Sequence, residues 1–168
     1  MAFRYDVRPD DPATVQQLAA ATGFFSTEEI GIAVELVEER LCQGVASGYE
    51  FLFVEHQDQV VGYTCFGPIP GTQGSYDLYW IIVDPQRQGE GIGKRLLERS
   101  EAIIRRQGGR RLYIETSSRG QYQPTQAFYQ RCGYHLEALL EDFYAPGDGK
   151  LIYGKRLELR LPLAEGRL

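Results

Sequence analysis

The chain has 168 residues, 43% apolar and 24% charged, and a net charge of −5; it has room for one domain with its own core, spanning 1–168, and hardly for two. That charge argues against a general nucleic-acid binder and favours cationic partners, and no apolar run approaches the roughly 20 residues that cross a bilayer. Cys42, Cys65 and Cys132 stand far apart without C-x-x-C spacing, a pattern that suggests neither a disulfide framework nor a zinc site and fits free thiols in a reducing cytoplasm.

Residues 3–8, FRYDVR, alternate as a first strand does. Asp11-Pro12 opens a helix through 13–21, which Gly23 breaks. A second helix is predicted over 26–41, with Ser26 and Glu29 in the S-x-x-E capping box and Gly44 as its stop. Strands at 49–56 and 60–69 flank the polar turn HQDQ and read as an antiparallel hairpin. A third strand, YDLYWIIV, covers 76–83. Strict alternation along it would put Asp77, Tyr79, Ile81 and Val83 on one face. A helix follows to about Gln107, where Gly108-Gly109 end it. A strand at 111–116, a loop, and a helix at 124–132 with Pro124 in its first turn come next. Two strands at about 134–144 and 150–159, joined by APGDG, close the chain.

The junction 81–100, IIVDPQRQGEGIGKRLLERS, carries three glycines where a strand turns into a helix. A helix N-terminus has about four unpaired N–H groups and a partial positive charge. Glycines let those groups close on a phosphate and allow positive φ where the loop curls. Arg87, Lys94 and Arg95 add positive charge. The P-loop pattern fails, because Gln88 stands at its first glycine and Arg95 at its hydroxyl position. The dinucleotide fingerprint fails at its third glycine, which is Lys94.

Gln88, Gly91 and Gly93 instead fit Q-x-x-G-x-G after Val83-Asp84-Pro85. This resembles the acyl-CoA pyrophosphate loop of the GNAT superfamily of N-acetyltransferases. The segment 127–134, AFYQRCGY, is similar to a second motif of that family, and the element order matches its fold. The resemblance implies an α/β (α+β) single domain. Its mixed, mostly antiparallel sheet of about seven strands would be flanked by about four helices, with acyl-CoA held in a splayed parallel pair, here 76–83 and 111–116. It implies pantetheine pairing near Ile81, Ile82 and Val83, with an oxyanion donor N–H at Ile82 or Val83. Pyrophosphate contacts would run through Gln88, Gly89, Glu90, Gly91, Ile92, Gly93 and Lys94, with Arg95 adding charge.

The same resemblance makes Tyr129 the acid for the departing thiolate. It offers Asp77 or Glu115 as the base that deprotonates an ammonium substrate. Tyr122 replaces an asparagine that usually orients the cofactor, so local hydrogen bonding there must differ. The implied activity is acetyl transfer from acetyl-CoA to a primary amine by direct attack, without a metal. The acceptor would be a small amine or amino-acid-like molecule, drawn by aromatic and acidic residues around 22–27, 68–75 and 142–150. A protein amine, another acyl-CoA, or a non-catalytic acyl-CoA-binding regulatory module are the alternatives. Similar proteins commonly pair as homodimers through their last strands; no nucleic-acid or membrane partner is implied.

Overall fold

The computed structural model describes residues 1–157. Seven strands form one sheet: β1 (Ala2–Arg4), β2 (Glu50–His56), β3 (Gln59–Pro68), β4 (Ser75–Val83), β5 (Arg111–Ser117), β6 (His135–Ala145) and β7 (Asp148–Arg156). Four α-helices accompany them: α1 (Asp11–Ala21), α2 (Thr27–Gln43), α3 (Ile92–Arg106) and α4 (Gln123–Arg131). The strand order is β1-β2-β3-β4-β5-β7-β6, and only β4 and β5 run parallel. This is the mixed α/β architecture expected from the element order.

Local chemistry fixes several elements. The β2–β3 turn uses Gln57 and Asp58 with φ of 50° and 61°, the left-handed pair a two-residue hairpin requires. Both capping-box bonds form at α2: Ser26 Oγ accepts from Glu29 N, and Glu29 Oε2 accepts from Ser26 N at 2.7 Å. The first strand ends at Arg4 rather than at Arg8. Its guanidinium is buried and binds Asp11 at 2.8 Å and Glu55 at 2.6 Å. It also donates to the carbonyl of Asp6, which turns the chain off the sheet edge.

The last hairpin also differs from the alternation pattern. Its turn is only Pro146-Gly147, and β6 slips register between Leu140 and Ala145, with Asp142 at φ 52°. Asp142 accepts from Gly147 N at 2.7 Å, and this bond stabilises the bulge. The final strand lies inside the sheet, between β5 and β6. The predicted residues 158 and 159 of that strand lie outside the described residues.

The sheet separates two cores. Leu78, Ile92, Leu96, Ile104, Ile114 and Tyr129 pack on the α3–α4 side. Val15, Ala33, Val37, Phe53, Tyr63 and Ile82 pack on the α1–α2 side. Glu101 is buried in α3 and is satisfied by Lys155 at 2.8 Å and by the Tyr134 hydroxyl at 2.9 Å, as a buried charge must be.

Candidate active site

The site begins with an irregularity in β4. Cys65 pairs with Trp80 and Phe66 pairs with Leu78, so Tyr79 is an extra residue without a partner on β3. A bulge of this kind reverses the alternation beyond it. Tyr76 and Leu78 face the α3–α4 core, and so do Ile81 and Val83, whereas Trp80 and Ile82 face α1–α2. The expectation of one face shared by Asp77, Tyr79, Ile81 and Val83 is therefore corrected. Asp77 lies on the Ile82 side.

The split in the sheet starts at the same residue. Parallel pairing of β4 with β5 covers only Ser75–Leu78 with Arg111–Ile114. Beyond it, Ile81–Val83 pair with β3 alone and Glu115–Ser117 with β7 alone. A strand with one neighbour leaves every second N–H and C=O facing the gap.

A cleft of about 920 Å³ occupies the α3–α4 side of this gap. Ile81 and Val83 form one wall, the loop from Arg87 to Lys94 the end, and Thr125, Phe128, Tyr129 and Cys132 the other wall. The loop reaches the helix through Gly89 at φ 87° and Gly91 at φ 74°, where a Cβ would strain the backbone. Unlike α2, α3 has no side-chain cap; the first amide to bond back to the loop is Arg95 N, to Gly91 O at 3.1 Å. The earlier N–H groups of its first turn are open toward the cleft end, the arrangement that binds an anion. At Gly93 an added Cβ would make only ordinary van der Waals contact, with Phe128 at 3.5 Å, so packing alone does not demand glycine there.

A second cleft of about 420 Å³ lies on the α1–α2 side and meets the first at Ile81, Val83, Gln88 and Tyr129. Phe24, Phe25 and Glu29 come to it from α1–α2, Glu115, Thr116, Ser117 and Arg119 from the end of β5 and just beyond, and Tyr144 and Asp148 from the last hairpin. Tyr129 stands at the junction. Its ring packs against Phe128, Tyr134 and Tyr153. Burial pushes its hydroxyl pKa far up, so it enters any reaction as a phenol.

Of the residues expected at the cofactor, Ile81, Val83, Gln88, Gly89, Gly91, Ile92, Gly93, Lys94 and Tyr129 line the larger cleft. Ile82 and Tyr122 line only the smaller one, where Tyr122 packs on Phe24 at 6.0 Å. Glu90 and Arg95 line neither. Arg95 turns to the Glu90 carbonyl and the Met1 sulfur, and the Glu90 carboxylate faces Arg87 at 3.6 Å. Glu115 lines the smaller cleft and pairs with Lys150 at 2.7 Å. Asp77 lines neither cleft. Burial, then the charge of Glu115, pushes its carboxyl up to about 6 against the pull of Lys150.

The chain matches the acetyltransferase (GNAT) family over residues 18–134. It belongs to the GNAT acetyltransferase family. It is thus an acyltransferase. A Desulfovibrio desulfuricans protein assigned to the same family is 46% identical, with a TM-score of 0.92, over 94% of this chain and 99% of that one. Two aminoglycoside 6'-N-acetyltransferases share the fold. One, crystallised with coenzyme A, is 18% identical and the other, from Enterococcus faecium, 21%; each has a TM-score of 0.76 and covers 96% of this chain and 100% of its own. A sequence search of curated proteins gives no match.

Thr125 and the motif residues Phe128, Tyr129 and Cys132 form one stripe at helical spacing along α4 and its C-cap. Other lining residues lie outside both motifs. Arg119, Ser117 and Asp148 converge only because β7 enters beside β5.

Proposed function

We propose that this GNAT protein transfers the acetyl group of acetyl-CoA to a primary amine by direct attack. The observation that carries the reading is the uncapped α3 N-terminus with its two left-handed glycines, set at the end of the gap between β4 and β5. The loop amides hold the pyrophosphate, and the β4 backbone from Ile81 to Val83 aligns the arm. An N–H at Ile82 or Val83 serves the carbonyl oxygen as it gains charge.

The amine enters from the smaller cleft. Its nitrogen bonds to the thioester carbon, the C–S bond breaks, and Tyr129 gives its proton to the sulfur. The proton released by the nitrogen restores the tyrosine, so the step balances. An acceptor that arrives as an ammonium first loses a proton, through water, to Glu115. Asp77, on the neighbouring strand, has its own carboxyl held up by burial and by the charge of Glu115. Tyr122 shapes the acceptor side rather than the pyrophosphate side.

Among the described residues no helix is long and apolar enough to cross a membrane, and a cytoplasmic location fits the free cysteines. Exposed Leu136, Leu139 and Leu140 on the edge strand β6 support self-pairing as a homodimer.

The test is calorimetric titration with acetyl-CoA, ATP and NAD, followed by an amine screen read by release of CoA thiol. Micromolar binding of acetyl-CoA alone and amine-dependent thiol release are expected. Binding without turnover of any amine would replace the enzyme reading with that of an acyl-CoA-binding module.

A further inference from the structure

The smaller cleft carries a guanidinium that the transfer of an acetyl group does not require. Arg119 stands two residues past the end of β5 and lies over the Tyr122 ring at 5.6 Å. Only its Nε edge is used: it faces Asp148 Oδ2 at 3.0 Å and Ser117 Oγ at 3.4 Å. Those partners are themselves fixed. Ser117 and Asp148 are each 8% exposed and share a 2.5 Å hydrogen bond, and Ser117 Oγ also accepts from Arg119 N at 3.1 Å. Among the described residues no acceptor meets Nη1 or Nη2. The result is an arginine held by one edge, with its two-nitrogen fork left over.

The acids of the same cleft are already engaged. Glu115 is paired with Lys150, Asp148 with Arg119, and Glu29 with the cap of α2. We infer that the acceptor is an amine that also carries a carboxylate, an apolar or aromatic amino acid, and that Arg119 binds this carboxylate. The inference rests on the acetyltransferase reading of the same site and names its substrate class. A planar guanidinium fork matches a carboxylate with two parallel N–H···O bonds. The amine end then lies at Tyr129, which lines the same cleft. Phe25, Trp80 and Tyr144 leave an apolar wall for the side chain. At about 420 Å³ the cleft suits a molecule of amino-acid size. An amine with several positive charges would set one of them against Arg119, a like-charge contact that selects against it.

The experiment measures CoA-thiol release with acetyl-CoA and matched acceptors. L-phenylalanine, L-tyrosine and L-leucine are compared with phenylethylamine, tyramine and isoamylamine, and spermidine is the polycationic arm. The expected kcat/KM ratio of amino acid to its decarboxylated partner is roughly ten- to a hundredfold, the value of one charge-assisted pair. Arg119→Ala should bring that ratio to about one by raising KM for the amino acid, and Arg119→Lys, which keeps the charge but not the fork, should fall between. Titration of each variant with acetyl-CoA checks that the fold and the larger cleft persist. Equal or better turnover of the decarboxylated amines or spermidine by the wild type would overturn the inference and leave the acetyltransferase reading standing. An amino-acid preference that survives Arg119→Ala would also overturn it. Turnover of none of these acceptors, with acetyl-CoA still bound, would overturn the substrate class; only failure of the wider amine screen as well would remove the enzyme reading.

Discussion

Asp77→Asn separates stability from function most directly. The carboxyl is raised from 3.8 to about 6, first by burial and then by Glu115. A raised carboxyl means that the folded protein holds its proton more tightly than the unfolded chain does. Stability is therefore lost as pH rises from about 4 to about 6, and the loss is complete above 6. A rise of this size corresponds to at most about 3 kcal/mol. Asp77 is only half-buried, so screening by water reduces this to about 1 kcal/mol. Asparagine keeps the shape and removes the charge. The variant should match the wild type at pH 4 and exceed it above pH 7 by about 1 kcal/mol, or roughly 2–4 °C in Tm for a chain of this size. Thermal unfolding followed by circular dichroism across pH 4–8 measures it. A variant that is less stable at pH 7.5, or a difference that does not change with pH, would show that the Asp77 charge is well compensated where it lies.

Three further outcomes follow from the geometry. Gly91→Val places a β-branched residue at φ 74° and should weaken acetyl-CoA binding by more than about tenfold; unchanged affinity in calorimetry would remove the loop from the binding site. Tyr129→Phe keeps the ring packing and deletes only the hydroxyl, so kcat should fall by roughly a hundredfold while acetyl-CoA affinity holds; full turnover would reduce Tyr129 to a packing residue. Asp11→Ala leaves the Arg4 guanidinium, 8% exposed, without its main partner and should cost about 3 kcal/mol in urea unfolding, with Glu55 limiting the loss; a cost near zero would mean that water already reaches the pair.

What the sequence by itself determined is what neighbouring residues decide among themselves. The capping box of Ser26 and Glu29, the left-handed turn at Gln57-Asp58, the glycines that free the α3 amides, and the helix stripe carrying Tyr129 are all set within a few residues. The element order and the two motifs then sufficed for the fold and the family. Tertiary structure decided the rest. The bulge at Tyr79 depends on how β3 and β4 settle their register, and one extra residue moves Asp77 off the face of Ile81 and Val83. No alternation pattern contains that slip, because it is a property of two strands and not of one. The acceptor cleft is likewise a matter of sheet order. Ser117 and Asp148 lie 31 residues apart and meet because β7 enters the sheet beside β5; their meeting turns Arg119 from a loop arginine into an anchored fork.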